Sequence, residues 1–178
     1  MGKQTANEDD KLQWNSGSVV TSESAIATAY VKASVIGGLV AGFVFLVYQI
    51  IIHSLGNVLE PFKIFASLFL AEEALAKSAP LVSVVLVGLL DHLLVSLFWG
   101  LVFGLILAMG RCQWTPGYTV ALGILFGSIV WVVDFYLFAP VFWPWLELKS
   151  TTYEFIGHTF FFGLPLGVWV ASRTKLLD

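Results

Sequence analysis

LVSVVLVGLLDHLLVSLFWGLVFGLILAM, residues 81–109, contains only two ionisable side chains, Asp91 and His92. A helix rises about 1.5 Å per residue and a bilayer's hydrocarbon core is roughly 30 Å thick, so this stretch predicts a membrane span long enough to tilt or project. Three more apolar windows of similar kind lie at 33–53, 118–139 and 155–172. Pro80 precedes the second window, Pro116-Gly117 the third, and Pro140 and Pro144 follow it, as turn punctuation between helices would. The expected fold is therefore all-α: a polytopic four-transmembrane-helix bundle, readable as two tandem helical hairpins, with a short interfacial helix.

Composition agrees. Of 178 residues, 58% are hydrophobic and 12% charged, against roughly 25% charged in soluble domains. A net charge of −3 without a basic block gives no reason for a nucleic-acid partner. Cys112 is the single cysteine, which excludes an internal disulfide and a C-x-x-C redox motif. Residues 1–30 form a polar segment without the apolar core of a signal peptide, so the first span is expected to serve as an uncleaved anchor. Met1-Gly2 is no myristoylation signal, since Ala6 stands where Ser or Thr is required. The membrane domain is placed at 31–173 with a tail at 174–178.

Lys3, Lys11, Lys32, Arg111, Arg173 and Lys175 fall on one side of this arrangement and Lys63, Lys77 and Lys149 on the other, which places both termini in the cytoplasm of a bacterial plasma membrane. The opposite side then carries two longer connections. In 61–77, Phe62, Phe65, Leu68 and Phe69 recur at helical spacing, as in a helix lying along the interface. Phe142, Trp143, Pro144 and Trp145 read as an aromatic anchor at headgroup level.

Small residues four apart let helices approach closely in lipid. Each span has such a stripe: Ser34, Gly38 and Gly42; Gly88, Ser96, Gly100, Gly104 and Ala108, with His92 in the same register and so directed at a packed helix; Gly123 and Gly127; Gly163, Gly167 and Ala171. The stripes also suggest a duplication, with Gly38 and Gly42 aligning on Gly123 and Gly127, and Gly100 and Gly104 on Gly163 and Gly167. Two such hairpins would be related by an axis along the membrane normal.

Ionisable groups inside a span are costly and mark candidate functional sites. Measured from the cytoplasmic ends, Gln49 stands at ~24 Å, His92 at ~26 Å, Asp134 at ~24 Å and His158 at ~21 Å, with His53 a peripheral member at ~30 Å. They form a polar layer in the outer leaflet. Asp91 belongs to it by height, but neighbours on a helix point about 100° apart, so Asp91 and His92 address different partners. His158 lies off the Gly163–Gly167 line.

Three readings of the layer stand side by side. It is helix-joining hydrogen bonding, worth about 0.6 to 2 kcal/mol per bond. Alternatively it is a ligand site, in which His92, Asp134 and His158 hold a divalent metal such as Zn, Fe or Cu, or two histidines hold a haem. The third reading is proton movement or quinol contact, histidine being the side chain that changes charge near neutral pH.

Several of these features carry a resemblance. The G-x-x-x-G first span, His92 four residues before Ser96 and eight before Gly100-Leu101-Val102-Phe103-Gly104, Trp131 with the later Pro140, and the Gly157-His158 opening of the last span resemble small bacterial four-helix membrane proteins of unassigned function. The resemblance covers 33–172 and implies the fold and the membrane, with no reaction. Asp91 has no counterpart in it.

No nucleotide-binding loop or catalytic-triad spacing is present, and no residue is assigned a catalytic role. The expected function is a non-catalytic accessory or scaffold subunit of a larger membrane complex, its partners being the lipid bilayer and other membrane subunits. The alternative is a cofactor- or proton-handling protein built on the Asp/His layer. A small transporter comes third, because the cytoplasmic halves of the spans offer no continuous polar path.

Overall fold

The computed structural model describes residues 8–53, 57–110, 113–146 and 151–174, with side chains from 23–52, 57–110, 113–146 and 152–174. The His53 side chain, Arg111, Cys112 and Lys149 lie outside the described residues. Four helices are long and apolar enough to cross a membrane: Glu23–Ile52, Leu81–Met109, Pro116–Phe142 and Thr152–Thr174. Among the described residues there is no strand. The protein is an all-helical, four-span membrane bundle, and the helix carrying the first span begins as early as Glu8.

Consecutive spans pair through their glycines. A Cβ on Gly38 would sit 2.9 Å from the Gly100 Cα and 2.5 Å from the Ser96 carbonyl oxygen, and one on Gly104 would sit 2.9 Å from the Val31 Cα. In the second hairpin a Cβ on Gly123 would sit 2.7 Å from the Gly167 Cα, and one on Gly127 2.9 Å from the Gly163 Cα. Only hydrogen fits at these crossings, so backbones touch where most helices are held apart by side chains. The two seams differ in register by one turn: the Cα nearest Gly38 is that of Gly100, whereas the Cα nearest its sequence counterpart Gly123 is that of Gly167, with the Gly163 carbonyl beside it.

The first and fourth spans pack against each other and form the centre, where Tyr48 stacks on Phe161 at 4.2 Å and Phe45 meets Phe162 edge-on at 6.5 Å. The second and third spans flank them. Those two make few backbone approaches to each other and meet instead through rings, Phe103 with Phe126 at 5.1 Å, Trp99 with Phe126 at 5.9 Å and Trp99 with Phe138 at 6.4 Å.

The third and fourth spans are not regular α-helices. Each contains a π-helical stretch, Val133–Phe138 in the third and Gly157–Gly163 in the fourth. Their backbones show the longer hydrogen bonds directly, from the Ala139 N–H to the Asp134 carbonyl and from the Leu164 N–H to the Thr159 carbonyl. Each stretch lies just before a proline, Pro140 or Pro165. Proline has no N–H and crowds the carbonyl four residues back, and an i to i−5 turn upstream relieves both problems. Pro140 consequently does not terminate the third span, which continues to Phe142.

The connection between the first two spans folds into a helix, Glu60–Leu70, with Pro61 in its first turn. It ends at Ala71, whose φ of 55° lies in the left-handed region, and a 3-10 turn Ala71–Leu75 follows. This helix packs on the second span where the Phe62 backbone crosses Gly88. Gly88 thus serves the connecting helix, and the stripe read along the second span from 88 to 108 divides between two partners. The Trp143 Nε1–H donates to the Leu68 carbonyl at 3.1 Å and ties the outer loop of the second hairpin to the same helix.

Candidate functional site

Between the flanking spans, beneath the Glu60–Leu70 helix and Trp143, lies a cavity of about 310 Å³. Rings surround it: Phe45 from the first span, Phe65 from the connecting helix, Phe98 and Trp99 from the second span, Phe138 from the third, and Trp143. Its polar groups gather on one side as Gln49, Asp134, Glu154 and His158. A second, smaller cavity of about 50 Å³ adjoins the same Asp134 and His158 and also touches His92. A mostly apolar concavity with a few convergent polar groups is the usual form of a small-molecule site.

His158 and Asp134 form the core of that polar side. The His158 Nδ1–H donates to the Glu154 carbonyl at 2.8 Å, one turn back along the fourth span. That bond fixes the ring and leaves Nε2 directed at Asp134 Oδ2, 3.7 Å away. The two groups face each other as an acid–imidazole pair, close enough for charge to be felt between them but too far apart for a direct hydrogen bond. Both residues belong to the π-helical stretches. Each stretch adds a residue to its turn, so the helical phase shifts and His158, which an α-helical count from Gly163 places off the inner face, turns inward and is buried.

Gln49 joins the same group by donating from Nε2 to Glu154 Oε2 at 2.7 Å, and the Tyr48 hydroxyl donates to the Tyr153 carbonyl at 2.9 Å. Glu154 is the member that sequence reasoning missed. Its signal was present in the four-residue spacing from Glu154 to His158, but its place at the opening of the last span resembles an ordinary interfacial charge.

His92 stands apart from this group. Its Nε2–H donates to the Gly42 carbonyl at 2.8 Å, and its own carbonyl accepts from the Ser96 hydroxyl at 2.6 Å. Gly42 precedes Gln49 by seven residues, about 10 Å of helix, so His92 reaches down to the glycine seam. The Phe45 ring lies between the two imidazoles, with centroids 6.1 Å from His92 and 4.6 Å from His158. Among the described residues, no three His, Cys, Asp or Glu side chains are grouped so as to hold a metal ion.

Asp91 is buried at 3% exposure and lines neither cavity. Its Oδ2 has no hydrogen-bond partner. The expected single layer is thus resolved into a joined group of Gln49, Asp134 and His158 with Glu154, a seam-bound His92, and a separate Asp91.

No family model, curated protein or solved structure matches this chain. The functional reading rests on geometry.

Proposed function

We propose that this membrane protein binds a small lipid-soluble molecule in the cavity between its second and third spans, with the molecule's polar end on the Asp134–His158 pair. The observation that carries this reading is that two π-helical turns on separate spans aim an acid and an imidazole into one ring-lined cavity. Such turns cost regular hydrogen bonding and recur at functional sites. The glycine stripes are occupied within the chain's own two hairpins, which closes them to helices of another subunit. We place the protein in a bacterial plasma membrane with both termini cytoplasmic, following the Lys and Arg distribution.

Extraction of the purified protein with organic solvent, followed by mass spectrometry, tests the binding reading. One lipophilic species in near-stoichiometric amount is expected from the native chain, and little from Val95→Trp, which adds bulk to the cavity wall. Equal recovery from both proteins would defeat it.

One observation favours an accessory-subunit role beside this one. The first helix begins at Glu8, and the sequence of its first fifteen residues, 8–22, is mostly polar. About 22 Å of helix with a polar sequence therefore precedes the membrane and offers a handle to another subunit. Gentle purification from native membranes, with identification of everything that accompanies the chain, addresses that role; a chain that always isolates alone speaks against it.

A further inference from the structure

The cavity's chemistry is selective for charge. Its polar side holds two acids, Asp134 and Glu154, and among the described residues lining it there is no Lys or Arg. Glu154 is engaged by the Gln49 amide. The group opposite Asp134 is His158, whose imidazole carries positive charge only when protonated. Everything else within reach is aromatic or aliphatic. Ring faces attract cations through their quadrupole, most strongly where water is excluded, and rings around a carboxylate are the arrangement that recognises substituted ammonium groups.

The cavity also opens sideways. Phe98 lines it yet is 51% exposed, at a place where the flanking spans are joined by rings and not by close backbone. An exposed lining ring at a sparsely packed seam between two spans is where a molecule dissolved in the membrane would first meet the cavity.

We propose that the occupant is a lipophilic organic cation, such as a bulky amine or a quaternary onium ion, which enters laterally between the second and third spans and sets its positive charge against the Asp134 carboxylate among the Phe45, Trp99, Phe138 and Trp143 rings. An anionic lipophile meets two acids there and, among the described lining residues, no Lys or Arg. A neutral one adds no charge opposite Asp134, whose nearest basic group is the His158 imidazole at 3.7 Å. This inference rests on the cavity-binding reading above and assigns the ligand's charge and route of entry.

Tetraphenylphosphonium and tetraphenylborate are nearly equal in size and opposite in charge, so equilibrium dialysis of the purified full chain in neutral detergent with each ion separates charge from greasiness. Saturable binding of the phosphonium is expected, with tetraphenylborate weaker by about tenfold or more. Asp134→Asn should weaken phosphonium binding by about tenfold or more, while Asp134→Glu retains most of it. A neutral probe, triphenylmethanol, should bind Asp134→Asn and the native chain alike, which also reports that the variant's cavity is intact. If tetraphenylborate or the neutral probe binds as tightly as the phosphonium, and Val95→Trp blocks it, the cation inference falls and the cavity reading stands. If no probe binds saturably, both fall. Phosphonium binding unaffected by Asp134→Asn and Val95→Trp would place the ion elsewhere and overturn the inference.

Discussion

Within each hairpin of this protein backbone lies on backbone, whereas between the two flanking spans ring lies on ring. At the Gly38–Gly100 and Gly123–Gly167 crossings the helices are so close that a single methyl would overlap main-chain atoms. Trp99, Phe103, Phe126 and Phe138 instead bridge a wider gap with side chains. In lipid, helices gain little from burying apolar surface, since the bilayer is equally apolar, and association follows contact density. The seams therefore fix the architecture, and the ring-filled gap leaves the volume in which the cavity forms.

The most severe way to break this contrast is to add bulk at a seam. Gly38→Leu or Gly123→Leu must push main chain away from main chain, since the nearest obstacles are the Ser96 carbonyl and the Gly100 Cα in one case and the Gly163 carbonyl and Gly167 Cα in the other. Overpacking typically costs about 1–3 kcal/mol where side chains can yield, and more is expected here because backbone cannot. Both variants should lose the monodisperse folded species in detergent chromatography. Trp99→Leu, which removes bulk from the gap, should keep that species and enlarge the cavity. Equal tolerance of the two kinds of change would show that the seams do not set the fold.

Asp91 and Asp134 provide a smaller test of the same division. Asp134 faces the cavity and a histidine, whereas Asp91 is buried with an oxygen that has no partner. A buried unsatisfied polar group costs about 1–3 kcal/mol, and an apolar residue of similar size does not incur that cost. Asp91→Leu should therefore raise the thermal midpoint of the purified protein, with phosphonium binding unchanged. A lower midpoint would mean that this carboxyl secures the fold, and the separation of the two acids would have to be redrawn.

What was legible in the sequence divides along the same line as the packing. The spans follow from apolar length, and the seam residues from glycine spacing, because both are local properties of one helix. Partner choice is not local. Gly88 carries the same spacing signal as Gly100 but receives the Phe62 backbone of the connecting helix. The inward turn of His158 was hidden for another reason: a count at 3.6 residues per turn fails wherever a π-helical stretch adds a residue. The usable signal was a polar residue six or seven positions ahead of a proline within a span, as in Asp134 with Pro140 and His158 with Pro165. Glu154 became visible as a member of the site only when Gln49, on a span 105 residues away in sequence, reached it.

That proline signal yields the finest test, one of direction more than of stability. If Pro165 is the cause of the π-helical stretch Gly157–Gly163, then Pro165→Ala supplies an N–H to the Phe161 carbonyl four residues back and allows the fourth span to wind as a regular α-helix. The net effect on stability should be small, under about 1 kcal/mol, since a restored hydrogen bond offsets the freer unfolded chain. The phase of every residue ahead of the bulge would nevertheless change, and His158 would turn away from Asp134. Asp134→Cys with His158→Cys, in a Cys112→Ser background, reports this as the rate of bridging by a short bifunctional thiol reagent, which replaces the reach of the two native side chains. Rapid bridging is expected while Pro165 is present, and slow bridging once Pro165→Ala is added. Equal rates would mean that packing around Gly157, against the Phe45 and Tyr48 rings, holds the bulge without the proline. The origin of the inward histidine would then lie in the central pair of spans, where side chains of the first span set the winding of the fourth.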